Sequence, residues 1–368
     1  MSKSAPVLVG MDCGSGNVAT VMATSDSMKV RLTPSYVRHL PGATKGTDLR
    51  NMWITKGDNG SDATYAVQSK AINVVDTRTK DYQLSAACRV LVVNAISSIG
   101  LAGRKVIIAD TLPADQFYDD NNSLNRTHIE KKRESLKMAV RNANADIHSP
   151  EIIEVRIMPE GVTAFNAALY QQDGSSEPRL EGVSDVVIVD IGRYTINYAH
   201  IDCDTQDLFA RATSDQGVHA FLTLLKQLMI ESAEDGMLAI PAETIRKMTL
   251  DDIDAVARAG YYGSPIEALK DKRIPVIDVV KAAASTYVEE IKYKLSVVVP
   301  QLGNAHALIV VGGGAHYVGG LLHNMPNYIA DLHDNVIIPH QPECANARGA
   351  FIALQAEFED EELTTEGS

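Results

Sequence analysis

The sequence predicts an α/β protein built as two similar halves. Three observations carry that reading. Apolar runs of strand length alternate with longer helical stretches along the chain. A strand, a glycine turn and a second strand occur within 6–23 and again within 185–202. A polar break, QQDGSSEPRLEG at 171–182, separates the two occurrences. Asp12-x-Gly14 and Asp190-x-Gly192 hold the same place in the repeated unit, 178 residues apart in a chain of 368. Self-similarity on that scale takes precedence over any single motif.

Taken in order, PVLVGM (6–11) is a buried strand, broken by Asp12-Cys13-Gly14-Ser15-Gly16 and resumed by NVATVMA. Short strands flank the turn GDNGSD within 51–68. DYQLSAACRVLVVNAISSIGL (81–101) reads as a mostly buried helix, and KVIIADTLP (105–113) as a strand closed by proline. Thr127 and Glu130 fit a capping box that opens a charged helix running to about 144. The EKKRE run within it is read as that helix's solvated face, the alternative being a nucleic-acid patch. EIIEVRIM (151–158) is a strand, and PEGVTAFNAALY a helix with Pro159 at its start.

After the break come strands at 185–190, 195–202 and near 206–212, then helical segments at 216–232, 241–262 and 274–300. HALIVV (306–311) is a strand, and GGGAHYVGGLL turns into a helix. NVIIP is a short strand, followed by a last helix over 343–357. EFEDEE at 357–362 has five acids in six residues, which predicts a disordered tail over 358–368.

The totals are those of a globular protein, 45% hydrophobic and 22% charged. A net charge of -13 argues against direct, non-specific DNA binding, which needs clustered cations to displace counterions. Four widely spaced cysteines, with no C-x-x-C pair, fit a reducing cytoplasm better than a disulfide framework. The N-terminus has no apolar signal core. The longest stretch without Asp, Glu, Lys, Arg or His, Val90–Gly103, is 14 residues, too short and polar to span a bilayer. HIDC (200–203) reads as a strand end rather than a metal corner.

A glycine turn between strands lets backbone N–H groups approach an anion closely. One such turn is usually only a hairpin. Two in matching halves could close on a phosphate chain from both sides. The acid at each strand end would repel phosphate unless a cation sat between them. Mg²⁺ suits that place, keeping several waters and taking one or two carboxylates with the phosphates. Asp12 and Asp190 are therefore candidate partners, through water, of a nucleotide-bound magnesium. VVGGGAHYVGG adds a third element, a buried strand entering three glycines and then a helix. It is neither a G-x-G-x-x-G fingerprint nor a P-loop.

In chain order, D-x-G-S-x-N, P-E-x, D-[IL]-G-x-x-T and a strand ending in G-G-G-A resemble the actin-like ATPase superfamily. The segments TLPADQFYDDNN, HIEKKRESL and VRIMPEG narrow the likeness to the plasmid-segregation ParM (StbA) branch, over about residues 7–355. The resemblance implies an actin-like, duplicated ribonuclease H-like fold, with two five-stranded domains enclosing ATP or ADP and Mg²⁺. The first domain would cover 1–175, with an insert at about 34–80 and the helix 343–357 returning to it. The second would cover 183–340, with an insert at about 221–280.

Residue by residue, Asp12, Gly14, Ser15, Gly16 and Asn17 match the first phosphate loop, and Asp190, Gly192 and Thr195 the second. Gly312, Gly313, Gly314 and Ala315 match the adenosine turn. Asp215 and Gly217 resemble the helix start beside the sugar, with Ser214 where the family often has glycine. Glu160 matches the carboxylate that positions the attacking water, making Glu160 and Asp190 the implied catalytic pair; without the resemblance Glu160 reads as an N-terminal helix acid. ANARGAF (345–351) resembles the small-residue hinge helix, Gly349 permitting close packing.

Three positions depart from the pattern. Ala19 stands where some relatives carry a phosphate-facing lysine, Arg193 where glycine is common, and Asn197 where aspartate is frequent. Arg193 either restores across the cleft the charge that Ala19 omits, which assigns it to the nucleotide, or stands in solvent. The implied function is a cytoplasmic ATPase. It polymerises head to tail, its hydrolysis times disassembly, and it moves plasmid DNA through a small DNA-binding adaptor on the centromere, without touching nucleic acid or membrane. A small-metabolite kinase and a non-polymerising nucleotide switch are the alternatives on the same fold.

Overall fold

The computed structural model describes residues 5–25, 27–40, 49–171, 173–298, 307–322 and 336–366. It opens with three strands in a meander, β1 (Val7–Cys13), β2 (Asn17–Ala23) and β3 (Met28–Pro34). β4 (Val37–Leu40), β5 (Met52–Lys56) and β6 (Asp62–Val67) follow, then α1 (Ala86–Ile96), β7 (Lys105–Leu112), the short α2 (Ala114–Phe117) and α3 (Arg126–Lys137). β8 (Val140–Asn142), β9 (Glu151–Pro159) and α4 (Val162–Ala168) complete the first half. The second has β10 (Asp185–Ile191), β11 (Ile196–Asp202), β12 (Leu208–Ser214), α5 (Val218–Glu234), α6 (Ala242–Lys247) and α7 (Leu250–Ala259). It continues with β13 (Tyr261–Tyr262), β14 (Ile274–Pro275), α8 (Ile277–Val298), β15 (Ala307–Val311), α9 (Ala315–Leu322), β16 (Val336–Ile337) and α10 (Ala345–Glu366).

The halves share one plan. The first sheet runs β3-β2-β1-β7-β9 and the second β12-β11-β10-β15-β16. In each, three antiparallel strands are extended by two parallel ones. Asp12 pairs with Ala19 across the first hairpin, and Asp190 with Asn197 across the second. A four-stranded sheet, β4-β6-β5-β8, occupies the expected first insert and recruits β8 from outside it.

Alternation along the strands sets the layers. Val9, Met11, Val106 and Ile108 face α1, packing with Val90, Leu91 and Ile96. The opposite face packs on α10, Ala19 and Val21 against Ala347 and Phe351, and Ile107 and Ala109 against Ala350 and Leu354. In the second sheet Val187, Val189 and Ile191 join Phe221, Leu225, Ile291 and Leu295 of α5 and α8. Val186, Ile188, Ile309 and Val311 join Ala164, Phe165 and Ala168 of α4. Helices α4 and α10 therefore lie between the sheets.

Several boundaries differ from the sequence expectation. Segment 81–101 is a helix only over Ala86–Ile96, preceded by a 3₁₀ turn and followed by a π turn containing Gly100 at φ 107°. α3 is capped by Asn125, whose side chain accepts from the His128 N–H, not by Thr127. It ends at Lys137 rather than near 144, because Val140–Asn142 is drawn into the ladder with β5. Pro159 closes β9; Glu160 and Gly161 (φ 90°) form the turn before α4. Segment 241–262 is two helices, with Thr249 and Asp252 forming a capping box at the second. The acidic segment after 357 continues α10 to Glu366 instead of being disordered: Glu357 pairs with Arg156 and Glu359 accepts from Gln355 one turn back. Residues 299–300, the first residues of the HALIVV and NVIIP strands, part of the first insert and the last two residues of the tail lie outside the described residues. Among the described residues no helix is long and apolar enough to cross a membrane.

Candidate functional site

Both glycine hairpins open onto one cleft of about 160 Å³. Its walls include Asp12, Gly14, Ser15, Gly16, Asn17, Glu160, Asp190, Gly192, Arg193, Thr195, Gly312 and Gly313, twelve of the residues singled out from the sequence.

The first loop is shaped from behind. Four successive carbonyls are engaged: Cys13 O accepts from Gln83 Nε2 (3.0 Å), Gly14 O from Ser35 Oγ (2.7 Å), Ser15 O from Thr77 Oγ1 (2.7 Å) and Gly16 O from the Ser35 N–H (3.0 Å). A trans peptide sets N–H opposite C=O, so tying the carbonyls back leaves the loop's amides as the face for an anion. The second loop is held the same way by a different device. Gly192 O, Arg193 O and Tyr194 O accept from the N–H groups of Val218, His219 and Gly217, at the start of α5. A Cβ on Gly217 would fall 2.5 Å from Tyr194 C and 2.7 Å from Gly192 O, so only glycine allows that approach.

The third turn closes on the end of β10. Gly312 has φ 80°, and a Cβ there would sit 2.5 Å from Asp190 Oδ1. The Gly314 N–H donates to Ile191 O (3.0 Å), and a Cβ on Gly314 would strike Ile191 Cγ2 at 2.1 Å. Gly217, Gly314 and the buried Ala315 thus stand behind the cleft wall rather than on it. Asp215 is exposed on the turn between β12 and α5 and does not line the cleft.

The floor is acidic. Burial, then the charges of Asp190 and Asp110, push the Asp12 carboxyl up to about 7. Burial and the charges of Asp12 and Asp190 hold Glu160 well above the usual carboxylate range, and burial raises Asp190. Thr111 Oγ1 donates to Asp12 Oδ1 (3.1 Å), Asn346 Nδ2 to Asp190 Oδ2 (2.7 Å) and Asn197 Nδ2 to Glu160 Oε2 (3.2 Å). Asn197 is held in turn by Thr213 Oγ1 at 3.0 Å. That accounts for the departure at 197: an aspartate there would add a fourth charge, whereas the amide donates to Glu160.

These mutually repelling, oxygen-only groups fit a hard divalent cation brought in with phosphates. Among the described residues no group of three or more His, Cys, Asp or Glu could hold a metal.

Arg193 does not stand in solvent: its side chain is only 20% exposed. It lines the cleft and lies across Gly16, where a Cβ would meet Arg193 Cβ at 2.6 Å. Its Nη2 is 2.6 Å from Asp251 Oδ1 on α7, and Asp251 Oδ2 accepts from Tyr36 of the first half at 2.6 Å. The arginine is part of a clasp across the cleft mouth. Ala19, for its part, is packed under α10 against Ala347 and Phe351. We predict that Arg193→Ala and Asp251→Asn each speed nucleotide release several-fold and that the double variant adds little, as partners in one contact should. Stopped-flow release of a fluorescent nucleotide checks this; additive effects would contradict the clasp.

Residues the sequence did not single out also support the site. Asn346 of α10 joins Asp190 to Thr163, whose Oγ1 donates to Asn346 Oδ1 (2.9 Å). Its only signal was a polar residue in an otherwise small, apolar helix run. Gln83, Thr111, Ser35 and Thr77 carry no local motif, because their role depends on long-range packing.

Two duplicated sheets folded about a shared cleft make up the actin-like fold. Residues 7–171 match the family described as plasmid segregation protein ParM, N-terminal, so the first half of the chain is similar to the ParM branch of the actin-like proteins. Similar solved structures include actin-like protein Alp7A, 12% identical with a TM-score of 0.72 over 99% of this chain and 100% of that one. Bacillus thuringiensis ParM with ATP is 16% identical, with a TM-score of 0.63 over 96% of this chain and 99% of its own. Ta0583, an archaeal actin homolog in complex with ADP, is 16% identical, with a TM-score of 0.66 over 95% and 99%. No curated protein matches the chain.

Proposed function

We propose that the cleft binds ATP with Mg²⁺ and hydrolyses it, and that this turnover times the disassembly of head-to-tail filaments that segregate plasmid DNA. The observation that carries the reading is the facing pair of loops, each with its carbonyls tied back, over Asp12, Asp190 and Glu160. Asp12 and Asp190 would hold the magnesium through water, and the ion would neutralise phosphate charge. Glu160 uses Oε2 to accept from Asn197, leaving Oε1 for the proton of an attacking water. The loop amides stabilise charge on the transferring group; such sites work mainly by positioning.

A head-to-tail contact that does not close generates a helical filament without further instruction. The net charge of -13 favours DNA being moved through a basic adaptor rather than gripped. Four free cysteines suit a cytoplasmic setting. The test is phosphate release from ATP with no other substrate present, read beside electron micrographs of the same sample. Release accompanied by filaments is expected. Release only when a small phosphate acceptor is added would replace this reading with a kinase.

A further inference from the structure

Lys132 was expected on a solvated helix face, in the EKKRE run. In the structure its side chain is fully buried, facing inward from α3. The ammonium has three oxygen partners: Asp110 Oδ2 at 2.9 Å, Gln83 Oε1 at 2.6 Å and Thr111 O. Two hydrogen bonds and an ion pair thereby hold the ammonium, which is what lets a lysine persist in the interior.

Each partner is also an anchor of the first loop. Asp110 Oδ1 accepts from the Cys13 N–H (3.3 Å). Gln83 Nε2 donates to Cys13 O (3.0 Å), and Gln83 itself lines the cleft. Thr111, whose carbonyl Lys132 holds, donates through Oγ1 to Asp12 Oδ1 (3.1 Å). Both faces of the Cys13 backbone and the Asp12 carboxylate are thus reached from one ammonium, each through a single intervening residue. Asp110 neutralises Lys132, so the pair supplies the loop with orientation rather than net positive charge.

We propose that Lys132 is the positioning residue of the first phosphate loop, fixing Asp12–Gly14 from behind through Asp110, Gln83 and Thr111. The proposal deepens the ATPase reading and rests on it for its purpose, but the loop's order can be measured without nucleotide. Hydrogen exchange on the nucleotide-free protein is the test. In Lys132→Met, the Cys13 amide, which donates to Asp110, and the Ser35 amide, which donates to Gly16 O, should exchange at least about tenfold faster, while those of Val218 and His219, which hold the second loop, stay as in the wild type. Leu136→Ala, a buried apolar change on the same helix, should not single out the first loop.

Should Lys132→Met fail to fold, Gln83→Met breaks the same chain nearer the loop with the ion pair intact, and the same local pattern is expected. Unchanged protection at Cys13 and Ser35, or equal loss at both loops, would overturn the proposal. The KM for Mg-ATP should rise at least about tenfold, with a smaller fall in kcat. Faster exchange with an unchanged KM would also overturn it. A wild type without ATP turnover would remove the ATPase reading, while the exchange result still decides the role of Lys132.

Discussion

Glu160→Gln should hydrolyse ATP about 10²–10⁴-fold more slowly than the wild type while binding it with similar affinity. Glutamine keeps the shape and can still face Asn197, but it cannot take a proton from water. The half-buried, crowded setting of Glu160 is what makes the residue both useful and sensitive: desolvation and the charges of Asp12 and Asp190 raise its proton affinity. A cation carried in with the nucleotide relieves that repulsion, so the base is ready only in the loaded site. Because turnover is assigned to disassembly, filaments of Glu160→Gln should form and persist. Single-turnover kinetics and nucleotide titration check the first part, and sedimentation over time the second. Turnover within threefold of the wild type, about 0.7 kcal/mol of barrier, would remove Glu160 from the mechanism.

Gly349→Ala should lower the melting temperature, although alanine is the better helix former by about 1 kcal/mol. A Cβ at 349 would fall 1.6 Å from Thr163 O and 3.1 Å from Ala167 N, where α10 crosses α4. One residue type also makes the crossing with β1 possible: a Cβ on Gly10 would sit 2.2 Å from Ala347 O. Backbone cannot yield as a flexible side chain can. The overpacking cost of roughly 1–3 kcal/mol or more should exceed the propensity gain. A fall of about 5 °C or more is expected from a thermal scan, with ATP affinity weakened because Asn346 moves with the helix and loosens Asp190. An unchanged or higher melting temperature would show that the helices can part at no cost.

The duplicated architecture was legible because apolar strand runs, glycine turns and the polar break at 171–182 are local signals, and their repetition set the two sheets in register. Loop residues Gly14 to Asn17, Gly192 and Thr195 were matched through the actin-like resemblance, and they line the cleft. The misreadings have a common cause. Lys132 looked solvated because its neighbours are charged, yet its burial depends on Asp110 and Gln83, 22 and 49 residues away. Val140 reads as helical in sequence but finds Thr55 to pair with. Which of its two alternatives Arg193 takes was left open by its motif, because the partner that holds it out of solvent, Asp251, lies 58 residues on. Periodicity reports on one element; partners from distant elements leave no mark in it.

The most direct test of the filament reading is a light-scattering trace recorded after ATP and Mg²⁺ are added to the purified chain. Scattering should rise, hold while ATP lasts and decay as ADP accumulates, with no rise when magnesium is chelated. In Glu160→Gln the rise should remain and the decay should be lost. Phosphate release at full rate with flat scattering would contradict the account, leaving an actin-like nucleotide switch that does not polymerise.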